Sequence, residues 1–280
     1  MRGGSGRIWA VGLISCVCGS AGAATPPPRF STLERFDDTS RGVVEYGYHF
    51  FDTEVGSVTA KRLGLAGQYV TGQAGFYGQL SLTSVSFKYD SGFGSPDKSE
   101  SGNTALEFGA YWHKRSALGL LVLRGGLMLP TASGFGGVVA NAGSAFQRLT
   151  DFVTIAPDRW APRTSFSWSG NAGQVFYRGD FGLDLLIPTD DAGNGADSEV
   201  WAHFNLGLGV NTGPVALSAE WANVAQTDGD RDFEDRHLNS AALRIAYLGD
   251  FLQPALTLIR PLDDTDETLA VMIGLDLVQR

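Results

Sequence analysis

The feature that most constrains this chain is a period of two. Val200, Ala202, Phe204, Leu206, Leu208 and Val210 alternate with Glu199, Trp201, His203, Asn205, Gly207 and Gly209. Leu269, Val271, Ile273, Leu275 and Leu277 alternate in the same way with Thr268, Ala270, Met272, Gly274 and Asp276. Successive side chains of a strand point to opposite faces, so these runs are strands with one apolar and one polar face. The pattern recurs in twelve runs: Val43–Phe51, Val58–Thr71, Phe76–Asp90, Asn103–His113, Ala117–Pro130, Arg163–Gly170, Gln174–Pro188, Ser198–Asn211, Val215–Gln226, His237–Leu248, Phe251–Pro261 and Thr268–Val278. Tight connections such as Asn171–Gly173, Thr212–Pro214 and Gly249–Asp250 alternate with long ones, the longest being Thr131–Pro162. Short turns on one side, long loops on the other and an even strand count specify an all-β fold. The expected form is a transmembrane antiparallel up-and-down β-barrel of about 12 strands, with both termini on the periplasmic side.

A soluble β-sandwich would also alternate. The runs are, however, about 9–15 residues long, the length that crosses a tilted bilayer rather than the usual 5–6 of soluble sheets. The polar face is also heavily charged. It carries Glu107, Arg124, Arg178, Asp180, Asp184, Glu199, His203, Glu220, Arg244 and Asp276. An Arg or Lys facing lipid at mid-depth costs about 2–4 kcal/mol, so these ten side chains are assigned to the lumen as candidate pore-lining residues. Two readings of that lumen stay open. The arginines can pair with the acids and fill a narrow barrel. Alternatively, an acidic excess lines a pore that favours cations or neutral polar solutes. Twelve strands lie between filled eight-stranded barrels and open sixteen-stranded porins.

Arg2 and Arg7, the apolar stretch from Ile8 to Ile14 and the small residues Ala21-Gly22-Ala23 read as a secretory signal over residues 1–24. Leu13-Ile14-Ser15-Cys16 also offers a lipobox, so lipoprotein processing at Cys16 is the rival. Residues 25–42, opening on Pro26-Pro27-Pro28, have no alternation and read as a periplasmic segment ahead of a barrel over 43–280. Both cysteines, Cys16 and Cys18, fall in the signal, so the remaining chain has no disulfide to hold it together. Removing the signal takes two arginines and no acid, which moves the net charge from −9 to −11. An acidic chain of this kind is a poor nucleic-acid binder.

Tyr46, Tyr48 and Phe50 share one parity, and Tyr69, Trp112, Tyr247 and Trp221 lie near strand ends, where interfacial aromatic girdles belong. The long segment 131–162 carries apolar stretches at Val138–Ala145 and Phe152–Ile155. It is expected either to fold into the barrel mouth as a constriction or to pack on neighbouring loops. Asp228-Gly229-Asp230-Arg231-Asp232 opens like a calcium loop. Phe233 replaces the required glycine and Asn239 the closing acid, so it reads as a solvated acidic loop with no metal. His237-Leu238-Asn239-Ser240 is similar to the His, Ser and Asn of outer-membrane phospholipases and lipid deacylases, but with Ser and Asn exchanged.

Arg124-Gly125-Gly126-Leu127-Met128-Leu129-Pro130-Thr131 is echoed by the run from Arg178 to Thr189, which also closes on Ile187-Pro188-Thr189. A fainter copy ends at Arg260-Pro261-Leu262. Each strand stops with a proline at its outer end, where ladder pairing ceases. This resembles the transporter-type outer-membrane barrels associated with meta-pathway phenol degradation, whose strands end in Leu-Pro-Thr-Gly. Here Ala132 and Asp190 stand in place of that Gly. The resemblance implies a passive conduit for small, aromatic or hydrophobic solutes and transfers no binding residue. The expected partners are therefore outer-membrane lipid, small-molecule solutes and the barrel-assembly machinery, with no nucleic acid and no cofactor. Val278-Gln279-Arg280 lacks the terminal aromatic of the usual assembly signal. A non-transporting surface barrel is the alternative function, and a lipid-modifying hydrolase using His237 and Ser240 is a third.

Overall fold

All twelve alternating runs form strands, and the computed structural model shows how they close. It describes residues 28–53, 56–89, 98–132, 147–189, 197–227, 237–263 and 269–279. The expected signal (1–24), the acidic segment 228–235 and the apolar stretch 138–145 lie outside the described residues.

The strands are β1 (Ser40–Thr53), β2 (Gly56–Thr71), β3 (Ala74–Tyr89), β4 (Lys98–Asn103), β5 (Glu107–Ser116), β6 (Gly119–Met128), β7 (Arg159–Ala172), β8 (Val175–Pro188), β9 (Glu199–Thr212), β10 (Val215–Gln226), β11 (His237–Tyr247), β12 (Leu252–Pro261) and β13 (Leu269–Gln279). One 3-10 helix, Leu149–Ile155, stands between β6 and β7. Pairing is antiparallel throughout and follows chain order except at β4, which among the described residues pairs with β3 alone while β3 also pairs with β5; β1 returns to β13 in a register running from Ser40↔Gln279 to Phe50↔Leu269. Joining β1 to β13 closes the sheet into a barrel, the form in which strands can span lipid, while β4 keeps one edge unpaired among the described residues. At the tight turns Gly173 (φ 65°) and Gly213 (φ 68°) take left-handed backbone that a side chain would strain.

Thirteen strands fill twelve places. β3 pairs with β5 through Ala74–Gln79 and with β4 through Leu82–Phe87, so β4 and β5 share one position. The expected continuous run Asn103–His113 is thus interrupted at residues 104–106. Thr104 N–H donates to Ser81 O at 2.8 Å, whereas Ala105 N–H leaves the ladder and donates inward to Thr154 O at 2.8 Å. The break is made by a partner from outside the wall, which alternation cannot reveal.

The two faces separate as the period of two requires. Leu206 is 48% exposed and its neighbour Asn205 is fully buried. Tyr46, Tyr48, Phe50, Tyr69, Trp112 and Tyr247 all lie on the outer surface. Burial on the other parity has an unexpected source. Residues 28–37, expected in the periplasm, are all buried, and Ser40–Gly42 already belong to β1. The segment before β1 is folded into the barrel.

Candidate functional site

The segment crosses the lumen strand by strand, each step set by a complementary wall side chain. Arg29 donates to Asp276 of β13 (3.0 and 2.9 Å) and to Glu45 of β1 (2.7 Å). Ser31 and Thr32 give their backbone N–H groups to Glu220 of β10 at 2.9 and 2.6 Å, and the Thr32 hydroxyl adds 2.7 Å. Phe30 and Leu33 pack on Phe176 and Ala216. A Cβ at Gly207 of β9 would collide with both Phe30 and Leu33, so the absent side chain there is what lets the segment lie against the wall. Glu34 takes the Arg124 guanidinium at 3.2 Å, lies 3.3 Å from the His203 ring and donates its N–H to Asp180 at 2.9 Å. Phe36 then enters an aromatic nest near the tight-turn end, 4.3 Å from Tyr77 and 5.4 Å from Tyr111, with Arg124 over its ring at 5.1 Å. The space left beside Arg35, Phe36 and Tyr77 is about 10 Å³, enough for one water.

A second stopper comes from the long segment 131–162. Residues Gln147–Thr150 are buried, as are Asp151, Val153 and Thr154. Val153 joins Ala105, Met128, Ala132, Ala161 and Leu186 in one apolar cluster, and Leu149 joins Ala222 and Val224 in another. Asp151 receives Arg62 at 2.5 Å and lies within 3.4 Å of Arg148 and 3.9 Å of Arg35. Burial raises the Asp151 carboxyl, but Arg148, Arg62 and Arg35 outweigh it and hold that group far below the usual carboxylate range. Glu34 behaves alike: burial opposes its charge, and Arg124 with His203 and Arg163 more than offsets burial. Of the two placements expected for this loop, the inward one is seen for its described residues Gln147–Thr154.

The two stoppers touch. Arg148 donates to Leu33 O at 2.7 Å, and the Thr150 hydroxyl donates to Thr32 O at 3.0 Å. Arg163 of β7 anchors the loop from the wall side, giving one N–H to Thr150 O (2.7 Å) while pairing with Glu107 and with Asp184 at 2.9 Å.

Nine of the ten residues assigned to the lumen from sequence are buried on the inner parity: Glu107, Arg124, Arg178, Asp180, Asp184, His203, Glu220, Arg244 and Asp276. Glu199 differs. It lies at the long-loop end, partly exposed, paired with Arg159 at 3.0 Å and accepting the Trp201 indole N–H at 3.0 Å. Within the barrel, Arg124 pairs with Glu107, and Arg178 with Asp180 at 2.7 Å. The expected acidic excess is absent from the described interior. Nine arginines and nine carboxylates are buried there, so the surplus acid lies elsewhere. Ten of those eighteen are not among the residues assigned from sequence. Arg62 and Arg163 were legible as inward parity, but Arg29, Glu34, Arg35, Arg148 and Asp151 belong to no strand, and only their wall partners identify them.

Ser240 is buried toward the lumen, whereas His237 lies on the opposite parity of β11 with its Nδ1 3.2 Å from Asn223. That arrangement does not make a nucleophile–base pair. No cluster of three or more His, Cys, Asp or Glu suited to a metal occurs among the described residues.

No family model and no curated protein matches the chain. Among solved structures it is similar to an outer membrane channel from Pseudomonas putida F1, with a TM-score of 0.61 at 16% identity over 88% of this chain and 97% of that one. It is also similar to the transport unit of the autotransporter AIDA-I from Escherichia coli, with a TM-score of 0.52 at 6% identity over 90% and 93% of the two chains. At these identities the likeness is one of fold: the chain is a closed antiparallel β-barrel of the outer-membrane kind.

Proposed function

We propose that this protein is an outer-membrane conduit for small aromatic solutes, closed in the described state by its own N-terminal segment and long loop. The observation that carries the reading is the row of buried residues 28–37, a stretch that is no part of the wall yet occupies its lumen. A barrel needed only as a surface scaffold can fill itself with wall side chains, as eight-stranded barrels do. A stopper made of separate peptide, held by charged contacts that water can replace, is built to be displaced. The nest around Phe36 supports an aromatic solute, since Tyr77, Tyr111 and the Arg124 guanidinium already accept a ring there. The apolar outer face supports residence in a bilayer.

Conductance in planar bilayers tests the proposal. A refolded barrel lacking Arg29–Phe36 should conduct on the order of tenfold more than the full chain, with phenol-sized solutes entering liposomes that carry it. The balanced set of buried charges favours a second reading, a permanently filled surface barrel. Equal, near-zero conductance of both proteins, each migrating as a folded barrel, would select that reading.

A further inference from the structure

Arg244 is the buried cation of the lumen whose charge is least well met. It is 4% exposed, its Nε has no hydrogen-bond partner, and among the described residues its side chain forms no ion pair. The carboxylates around it are engaged. Asp276 serves Arg29 and Arg41, and Glu45 serves Arg29 and Arg35. Glu220 spends its oxygens on Ser31 and Thr32.

Register makes Glu220 the natural partner for Arg244. In the β10–β11 ladder Glu220 faces Ala242 and Ser218 faces Arg244, so the two are inward diagonal neighbours. Diagonal neighbours on adjacent strands stand about 7–8 Å apart at the backbone, within reach of long side chains. On its other side Arg244 faces Thr257 of β12, whose hydroxyl donates to Ser31 Oγ at 2.8 Å. Ser31 is therefore held by both strands that flank Arg244. Withdrawal of the segment uncovers Arg244 and strips Glu220 of three donors at once. A carboxylate and a guanidinium side by side on the lumen wall, each left unpaired, then compensate one another.

We propose that Glu220 is a two-position latch: it holds the segment while the lumen is closed, and it turns to Arg244 when the segment leaves. The latch rests on the reading of the segment as a removable stopper. It gives the wall of the open barrel an ion pair of its own, and it leaves Arg244 without a partner in the closed one.

A thiol at Leu33 reads the position of the segment without requiring conduction. Leu33 is fully buried, and a chain expressed without residues 1–24 has no other cysteine. The probe is a sulfonated maleimide, applied to Leu33→Cys barrels refolded into liposomes and shown by gel mobility to be folded. Glu220→Gln should raise the labelling rate about tenfold, the loss expected for hydrogen bonds to a charged acceptor. Arg244→Met should instead slow labelling several-fold, because the released Glu220 then has no second position. Added to Glu220→Gln, Arg244→Met should slow it no further. Labelling of Arg244→Met at the parent rate or faster overturns the latch, as does equal slowing in both backgrounds. If that occurs while the chain lacking Arg29–Phe36 conducts, the latch falls and the conduit stands. If no folded variant labels and none conducts, both fall. The Arg244→Met comparison with the parent decides the matter alone should Glu220→Gln fail to fold.

Discussion

The two stoppers are held by different balances of charge and burial. The N-terminal segment is gripped by charge and hydrogen bonds, Arg29 by Asp276 and Glu45, Ser31 and Thr32 by Glu220, and Glu34 by Arg124, with Phe30, Leu33 and Phe36 packed between these contacts. The loop helix adds to its ion pairs, Asp151 with Arg62, Arg148 and Arg35, two apolar clusters around Val153 and Leu149 and the backbone bond from Ala105 to Thr154 that interrupts the wall. Polar contacts inside a protein are worth little net, because water offers replacements. Buried apolar area has no such substitute. The comparison therefore assigns different roles. In the proposed conduit, the segment is the displaceable part and the loop the fixed narrowing.

Removing apolar packing from the loop should have the largest effect. Leu149→Ala is expected to cost about 2–5 kcal/mol. It should appear as a lower temperature at which the folded gel band converts to the unfolded one, with Leu33 remaining protected from thiol probes in a cysteine variant. Equal loosening of the segment would show that the stoppers move as one body through Arg148 and Thr150, and it would break the division of roles.

Two adjacent residues of β9 sharpen the contrast between wall and stopper. Leu206→Arg places a cation in lipid and should cost about 2–4 kcal/mol, seen as failure to assemble. Gly207→Val adds a side chain where Phe30 and Leu33 lie. It should leave the wall intact but press the segment out, at about 1–3 kcal/mol, seen as raised conductance of a folded barrel. Assembly failure in Gly207→Val would mean that the wall cannot form without the segment.

The smallest expected effect is that of mild acid on the loop. The Asp151 carboxyl is held below its unfolded value, ordinarily about 3.9. Its contribution is fully present above that value and is lost only as pH falls through the lower, folded one. The Leu149→Ala gel assay, run on the parent chain, should therefore give the same transition at pH 7 and pH 5. Loosening already at pH 5 would contradict the Asp151 assignment.

The wall was legible in the sequence because a strand states its own environment. Val215–Gln226 is the same in both readings, and the ten residues placed on the inner parity all lie on strands, with only Glu199 at the rim. The stoppers were not legible, because nothing local marks them. Arg29 and Asp276 are 247 residues apart, and Arg148 reaches Leu33 across 115. A Pro-rich lead without alternation looks the same whether it hangs in water or threads a lumen. One trace was available: Gly47, Gly207 and Gly274 put hydrogen where inward side chains belong, and a Cβ there would meet Gln147 at the first, Phe30 and Leu33 at the second and Arg29 at 3.9 Å at the third. A glycine on the inner parity of a barrel strand marks a close approach, but it does not say what approaches.

The central claim is that the lumen holds the chain's own N-terminal segment, and a reversible tether tests it most directly. The hydroxyls of Ser31 and Thr257 meet at 2.8 Å, and the chain beyond residue 24 has no cysteine to compete. A Ser31→Cys, Thr257→Cys chain refolded into bilayers should cross-link under mild oxidation, and the resulting disulfide should hold conductance at its closed level until a reductant restores it. Failure of the folded barrel to cross-link, or full conductance with the tether in place, would contradict the account.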